Sequence, residues 1–126
     1  MKIIALAGPA QSGKSTVAAY LKSRNFIEYS FAAPIRECVA HIFGITLAEL
    51  ERQKEQRHRG FHCTPREMMQ TLGTEWGRQM IQDDLWITSL EQRLFRAPAQ
   101  AHIVISDVRF ELSLIHISEP TRLRRI

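Results

Sequence analysis

The sequence predicts an α/β fold in which helices cover a parallel sheet, and three features carry that prediction. Apolar runs suited to buried strands begin at Ile3, Phe26 and His102. Helical patterns separate these runs. Strands that alternate with helices in this way form parallel sheets, because each crossover helix returns the chain to the end of the sheet at which the previous strand began. The length of 126 residues, with 44% hydrophobic and 24% charged residues, is typical of one modest globular domain.

A glycine-rich stretch follows the first predicted strand directly. Gly8 to Thr16 fits the pattern G-x-x-x-x-G-K-[ST], and a helix is predicted from Ser15 onward. A phosphate-binding loop requires this strand, loop and helix context. Gly8 and Gly13 permit backbone angles that side chains oppose, so that N–H groups can point at phosphate oxygens beside a helix N-terminus. The alternative is a glycine-rich turn with a solvated lysine.

Two side chains of this loop have specific expected roles. Lys14 is expected to reach the β- and γ-phosphates of a nucleotide, and the Ser15 hydroxyl is the expected protein ligand of Mg²⁺. The residues expected to bind the nucleotide phosphates are Gly8, Ser12, Gly13, Lys14, Ser15 and Thr16.

The third predicted strand ends in a carboxylate, Asp107. In a parallel sheet, ligands gather at the carboxyl ends of the strands, where the phosphate loop also lies. We therefore expect Asp107 to hold Mg²⁺ through water or to orient an acceptor hydroxyl, the alternative being an aspartate that caps a loop. Arg109, two residues further on, is expected to neutralise charge on a phosphoryl group in transfer.

The middle of the chain is predicted to be helical. A helix that starts near Pro34 and ends near Gly44 carries an apolar face. Residues 47–60 are the most polar segment, for which a substrate lid that supplies cations and a solvated helix are both open interpretations. Thr64 is predicted to cap the next helix. The apolar face predicted for the first of these helices consists of Ile35, Val39, Ile42 and Phe43.

Two glycines interrupt the helical pattern that follows Thr64. The chain is predicted to break at Gly73, and Gly73 and Gly77 together predict a special turn or a close approach of the backbone. Trp76 and Trp86 either stack on a nucleotide base or pack in a core. A last helix, capped by Asp83 or Asp84, is predicted before Pro98.

The charge and the cysteines exclude some classes of protein. Of the net charge of +4, residues 112–126 carry +2, which leaves a nearly neutral body better suited to small anionic ligands than to nucleic acid. Cys38 and Cys63 are predicted to be free thiols. No apolar run has the length of a membrane span or the form of a signal peptide, so that we expect a cytoplasmic protein without membrane contact.

Four stretches, in the same order, resemble the deoxynucleoside monophosphate kinases typical of tailed phages. This resemblance implies a three-layer P-loop kinase fold with a parallel sheet, and transfer of the ATP γ-phosphoryl group to a deoxynucleoside monophosphate with Mg²⁺. One departure is Ala33, where members of the family often have an acidic residue. The stretches are Gly8 to Thr16, Phe31 to Arg36, Thr64 to Arg78, which includes Gly-Thr-Glu-Trp-Gly-Arg, and Ile105 to Glu111.

The same resemblance implies residue roles. Lys14 and Ser15 with Mg²⁺ would hold ATP, and Asp107 and Arg109 would lie at the reaction centre. The residues expected to contact the acceptor are Phe31, Arg36, Arg66, Trp76 and Arg78. A kinase for another small acceptor such as dephospho-coenzyme A, and a P-loop module that only binds or hydrolyses ATP, remain alternatives. A homodimer is possible, and a phage-encoded protein would act in the host cytoplasm.

The resemblance stops after Glu111. Residues 112–126 resemble a translated sequencing adapter, so we expect residues 1–111 to be the N-terminal part of a P-loop kinase domain and residues 112–126 to be a non-native tail. The C-terminal strands and lid of the family's fold would then be missing. In that case the first strand would be an unpaired edge, and the chain as it stands is expected to be weak or inactive as a kinase.

Overall fold

The computed structural model describes residues 2–8 and 13–108. The predicted site residues Ser12 and Arg109 and the predicted tail therefore lie outside the described residues. The chain divides into two compact units, Met1–Phe31 with Ile87–Ile126, and Ala32–Trp86. None of the described helices is long and apolar enough to cross a membrane.

The first unit contains the predicted parallel sheet. Its strands are β1 (Lys2–Ala7), β2 (Phe26–Tyr29) and β3 (His102–Val108), in the order β1-β3-β2. Both neighbours run parallel to β3, which confirms the predicted sheet. Within the described part of the chain, β1 pairs with β3.

The core of the first unit lies between the sheet and α5 (Leu85–Phe95), whose residues from Ile87 onward belong to this unit. Five fully buried side chains form it, two from α5 and three from β3, the central strand of the sheet. They are Leu90, Leu94, Ile103, Ile105 and Val108. The other helix of this unit, α1 (Lys14–Ser23), leaves Tyr20 59% exposed.

The second unit is helical. It contains α2 (Ala33–Phe43), α3 (Leu47–Gln53), α4 (Pro65–Gln70) and a π-helix (Thr71–Ile81). Its core is built on the buried residues Val39, Ala40 and Leu50, against which Phe43, Ile45, Met68, Met69 and Leu72 pack.

The prediction that Ile42 faces this core is wrong, because its side chain is 50% exposed. The buried stripe of α2 runs through Val39, Ala40 and Phe43. At about 100° per residue, position 42 falls beside that stripe rather than on it. Gly44 ends the helix as predicted, with a left-handed φ of 70°.

Two threonines cap helices of the second unit. The Thr64 hydroxyl accepts from the Glu67 N–H at 3.1 Å, and the Glu67 carboxylate accepts from the Thr64 N–H at 2.8 Å, which confirms the predicted cap of α4. Thr46 and Glu49 form the same reciprocal pair at the start of α3. This second cap was not predicted, although its spacing of a threonine and a glutamate three residues later is the same signal.

The prediction that the chain breaks at Gly73 is wrong. The π-helix continues directly from α4, so the backbone stays helical through both glycines. At its end the Gln82 N–H donates to the Gly77 carbonyl oxygen, five residues earlier, at 3.0 Å. The predicted close approach is confirmed, because a Cβ built on Gly77 would lie 2.8 Å from the Trp86 ring.

The polar segment after α3 is held against α2. The rings of Phe61 and Phe43 stack with centroids 4.0 Å apart, and Arg57 donates to the His62 carbonyl oxygen at 3.0 Å. Of residues 47–60, Leu47–Gln53 form the predicted helix. A lid function of residues 47–60 stays a prediction.

Candidate functional site

The two glycines of the predicted phosphate loop have the backbone angles that the prediction requires. Gly8 has a φ of 137° and Gly13 a φ of 91°, in a region that L side chains rarely adopt. A Cβ built on Gly13 would meet no atom within 4 Å, so the need for glycine there is conformational rather than steric. A substitution at Gly13 would therefore strain the backbone even though the space is free.

The first turn of α1 starts directly after Gly13. Its first helical hydrogen bond runs from the Val17 N–H to the Gly13 carbonyl oxygen at 3.1 Å, so the amides of Lys14, Ser15 and Thr16 precede the intrahelical bonding pattern. Such amides and the helix dipole favour an anion. Lys14 is half-buried, whereas the Ser15 and Thr16 side chains are exposed. This chemistry fits a nucleotide phosphate, with the Ser15 hydroxyl as the residue that would hold Mg²⁺.

Asp107 lies at the carboxyl ends of the strands, close to where β1 leads into Gly8. Ala5 pairs with Ile105, and Ala7 pairs with Val108, so β3 contains one extra residue beside Asp107. A bulge of this kind interrupts the backbone ladder and redirects a side chain. The bulge lies where β1 passes into Gly8. The start of the phosphate loop and the end of β3 are therefore at the same end of the sheet, as predicted.

Asp107 has a defined partner at this end of the sheet. Its Oδ1 accepts a hydrogen bond from the Phe31 N–H at 2.9 Å, across from the end of β2. This bond joins the end of β3 to the residue that follows the end of β2, 76 positions away in the sequence, so it is not the local cap of a loop. A role of Asp107 with Mg²⁺ or an acceptor is compatible with this bond, because an ionised carboxylate accepts several hydrogen bonds. That role stays a prediction.

Phe31 and its neighbour Ser30 are tied to the core of the first unit. The Phe31 ring is half-buried and packs against the core cluster, so its predicted contact with a substrate would use the remaining exposed part. Ser30 is buried, with 3% of its surface exposed, and its carbonyl oxygen accepts from Arg93 Nη2 at 2.9 Å. Arg93 was not predicted, because nothing in the sequence distinguishes it from a solvated arginine of an amphipathic helix.

The predicted acceptor arginines belong to the second unit. Arg36 lies half-buried in the first turns of α2. Arg66 pairs with Glu55 at 3.4 Å, and Arg78 pairs with Asp83 at 3.3 Å. Both pairs are largely exposed, and such pairs contribute little to stability. These guanidinium groups could therefore exchange their carboxylate partners for a phosphate at small cost.

The two tryptophans of the second unit differ in environment. Trp86 packs on Gly77, and its Nε1 donates to the Gly73 carbonyl oxygen at 2.8 Å, as expected of a core tryptophan. Trp76 is 42% exposed, so the interpretation of Trp76 as a core residue is wrong. Stacking on a base remains the predicted role of Trp76.

Comparison with known proteins assigns the family. No protein-family model matches the chain. A protein of Acanthamoeba polyphaga mimivirus, provisionally named a deoxynucleotide monophosphate kinase, is 34% identical over 138 residues, which cover 94% of this chain and 69% of that protein. The deoxynucleoside-5'-monophosphate kinase of Escherichia phage T5 is 36% identical over 61 residues, or 48% of this chain and 24% of that protein. This chain belongs to the deoxynucleoside monophosphate kinase family.

Proposed function

We propose that this protein transfers the γ-phosphoryl group of ATP to a deoxynucleoside monophosphate, which yields ADP and the deoxynucleoside diphosphate. The observation that carries the proposal is the pair of left-handed glycines, Gly8 and Gly13, that leads into the first turn of α1 beside the end of β3. The membership of the chain in the kinase family supports the choice of acceptor.

The donor half of the reaction is assigned to the start of α1. The amides of Lys14, Ser15 and Thr16 would bind the ATP phosphates, and the Lys14 ammonium would lie against the transferring group. Ser15 would hold Mg²⁺, which when bound neutralises charge on the β- and γ-phosphate oxygens. Gly8, Ser12 and Gly13 would complete the loop around the phosphates.

Charge at the reaction centre is assigned to the end of β3. Asp107 would hold Mg²⁺ through water or orient the acceptor hydroxyl, from the position fixed by its bond to the Phe31 N–H. Arg109 would stabilise negative charge on the phosphoryl group while it passes between donor and acceptor. In such transfers, positioning and charge neutralisation carry most of the catalysis.

The acceptor contacts are assigned to three arginines and two aromatic rings. Arg36, Arg66 and Arg78 would bind the monophosphate, for which bidentate guanidinium groups are well suited. Trp76, which is 42% exposed, would stack on the base, and Phe31 would contact the acceptor.

The test separates nucleotide binding from turnover. Calorimetry with a non-hydrolysable ATP analogue and Mg²⁺ compares the wild-type chain with Lys14→Met. The control Lys22→Met changes a lysine near the other end of the same helix, where it pairs with Glu28 on the surface. We expect Lys14→Met to weaken binding about 10- to 100-fold, since a charge-assisted hydrogen bond contributes about 1.5–3 kcal/mol. Equal affinities of wild type and Lys14→Met would contradict the donor site.

Turnover is measured with ATP and each deoxy- or ribonucleoside monophosphate in turn, with dephospho-coenzyme A as a further acceptor. Because the chain spans 69% of its mimivirus relative, the assay includes a single-turnover arm at high protein concentration that detects slow transfer. Conversion of a deoxynucleoside monophosphate that Lys14→Met abolishes would support the proposal. Conversion of dephospho-coenzyme A alone, or Lys14-dependent binding of ATP without conversion of any acceptor, would contradict it.

A further inference from the structure

One peptide group in the first unit is held from both sides by charged side chains. The carbonyl oxygen of Ser30 accepts from Arg93 Nη2 at 2.9 Å, and the N–H of Phe31 donates to Asp107 Oδ1 at 2.9 Å. The carbonyl and the N–H belong to the same peptide unit, which joins Ser30 to Phe31. Arg93 and Asp107 are thus connected through a single planar group.

The arrangement of charges favours both hydrogen bonds. A cation lies at the carbonyl end of the peptide and a carboxylate at its N–H end, so both charges align with the peptide dipole. Hydrogen bonds to ionised groups are stronger than neutral ones, and bonds in a chain polarise one another. Loss of the guanidinium should therefore weaken the bond between the Phe31 N–H and Asp107 as well.

Arg93 is itself held in place. Its Nε donates to the Ser89 carbonyl oxygen one turn earlier at 3.3 Å, so two carbonyl groups orient the guanidinium. The helix that carries it is anchored by Leu90 and Leu94, whose side chains are buried in the core. Arg93 is half-buried, which limits its exchange with solvent.

Asp107 needs such support because the regular ladder is interrupted beside it. Between the pairs Ala5–Ile105 and Ala7–Val108, β3 contains an extra residue, so pairing with β1 does not fix the backbone there. On the β2 side, the last pair of the ladder is Tyr29 with Ile105, two residues before Asp107. The bond to the Phe31 N–H therefore holds the Asp107 carboxylate at the point where regular pairing with both neighbouring strands is interrupted or ends.

We propose that Arg93 is a positioning residue for phosphoryl transfer, which acts through the Ser30–Phe31 peptide to hold the Asp107 carboxylate in its orientation. The proposal rests on the proposed function, since it assumes that Asp107 works at the reaction centre. It assigns no contact with the substrate to Arg93.

The first measurement does not depend on kinase activity. NMR spectra of the wild-type chain and of Arg93→Met and Arg93→Lys report the Phe31 amide shift and its hydrogen exchange. Arg96→Met is the control, since Arg96 is an exposed arginine three residues further along the chain. We expect Arg93→Met to move the Phe31 amide proton upfield and to speed its exchange about tenfold. Arg93→Lys should restore part of both effects, and Arg96→Met should change neither.

An unchanged Phe31 amide in a folded Arg93→Met chain would overturn the proposal. Far-ultraviolet circular dichroism identifies a chain that has failed to fold, and in that case Arg93→Lys decides. A Phe31 amide in Arg93→Lys that matches the wild type in both shift and exchange would then contradict the relay, since a lysine ammonium cannot reproduce the two-carbonyl fit of the guanidinium.

The second measurement tests the link to catalysis. Arg93→Met should lower kcat about 10- to 100-fold, as misplacement of a catalytic group does, while the KM for ATP changes less than about threefold. Because Arg93 acts through Asp107, the double variant Arg93→Met with Asp107→Asn should be no slower than Asp107→Asn alone. Additive losses would overturn the proposal. Absence of turnover in the wild type would contradict the proposed function instead, and the Phe31 amide would still decide whether Arg93 orients Asp107.

Discussion

Glu67 is a surface residue whose charge depends on one local contact. Its carboxylate accepts from the Thr64 N–H, and the Thr64 hydroxyl accepts from the Glu67 N–H. Two hydrogen bonds with Thr64 hold the pKa of Glu67 below its ordinary value of 4.5. The bond with the Thr64 backbone has the larger effect and the bond with the Thr64 side chain the smaller. A carboxylate with a lowered pKa in the folded state stabilises the fold above the unfolded pKa. This stabilisation is lost as the pH falls through the folded pKa.

Glu67→Gln should therefore show a pH-dependent loss of stability. Glutamine can occupy the same cap without the charge, so the difference from the wild type reports the ionised carboxylate. We expect the difference in the free energy of unfolding to be largest at neutral pH and to shrink below about pH 4.5, the ordinary glutamate value. Urea unfolding between pH 7 and pH 3 measures it. Glu49→Gln, in the equivalent cap of α3, should behave alike, and a difference that stays constant with pH would contradict the mechanism.

Gly77 leaves no room for a side chain. A Cβ there would lie 2.8 Å from Trp86 Cζ2 and 2.9 Å from the Leu72 carbonyl oxygen, and the backbone atom cannot move aside cheaply. We expect Gly77→Ala to destabilise the protein by about 1–3 kcal/mol in urea unfolding.

Gly73→Ala is the matched comparison. Its Cβ would meet only the end of the flexible Ile35 side chain at 3.1 Å, and alanine is favoured over glycine in helices by about 0.5–1 kcal/mol. Gly73→Ala should therefore be clearly milder than Gly77→Ala. Equal losses at both positions would show that steric contact with Trp86 is not the reason for the glycine.

Residues with a local signal were predicted from the sequence, and residues whose role depends on distant contacts were not. The positive φ of Gly13 and the cap at Thr64 follow from patterns a few residues long. The link from Arg93 to Ser30 joins positions 63 residues apart, so no local pattern reveals it. The exposure of Ile42 and Trp76 was mispredicted for a related reason, since an apolar residue type does not show which side of its helix is covered.

At the scale of elements, the π-helix is the main departure from prediction. Two glycines are unfavourable in an α-helix, which is why a break at Gly73 was predicted. The helix instead continues, and the glycines let Trp86 approach and bond to the Gly73 carbonyl oxygen. π-helical hydrogen bonds are rare in proteins as a whole, and those that occur are often found at functional sites. No sequence pattern identifies them. The strands and the other helices were predicted because apolar runs and helical spacing are local signals.

The two tryptophans give a direct test of this segment. In Trp86→Phe only Trp76 emits, and in Trp76→Phe only Trp86 emits, because the chain has two tryptophans. Since Trp76 is 42% exposed and Trp86 packs on Gly77, acrylamide should quench Trp76 more strongly. Equal quenching constants would contradict the described packing.

The same variants test the predicted stacking on a base. A deoxynucleoside monophosphate should quench the emission of Trp76 in Trp86→Phe and leave Trp86 in Trp76→Phe nearly unchanged, since a base stacks on an accessible ring. Deoxyribose 5-phosphate, which lacks the base, is the control ligand. Quenching of Trp86 alone would contradict the role assigned to Trp76.

At the scale of the molecule, the parallel sheet and the family were both predicted from the sequence. The strand order β1-β3-β2 places the phosphate-loop strand beside β3, and the comparisons confirm the kinase family. The contacts of the site were less predictable. Sequence patterns place Lys14 and Asp107 at the ends of elements, but the partner that Asp107 takes depends on the register of three strands. The roles of the acceptor arginines stay predictions.

The nature of residues 112–126 is also a prediction that experiment can decide. If they derive from a sequencing adapter, they were never selected to pack on this fold, so a chain that ends at Glu111 should keep its stability. Its Tm should lie within about 2 °C of the 126-residue chain, because a loss of 1 kcal/mol would shift Tm by about 2–8 °C in domains of this size range. A chain with residues 112–126 replaced by glycine and serine controls for length. A clear fall in Tm in both variants, or native coding sequence across the junction after Glu111 in independent adapter-trimmed reads, would show that the segment belongs to the protein.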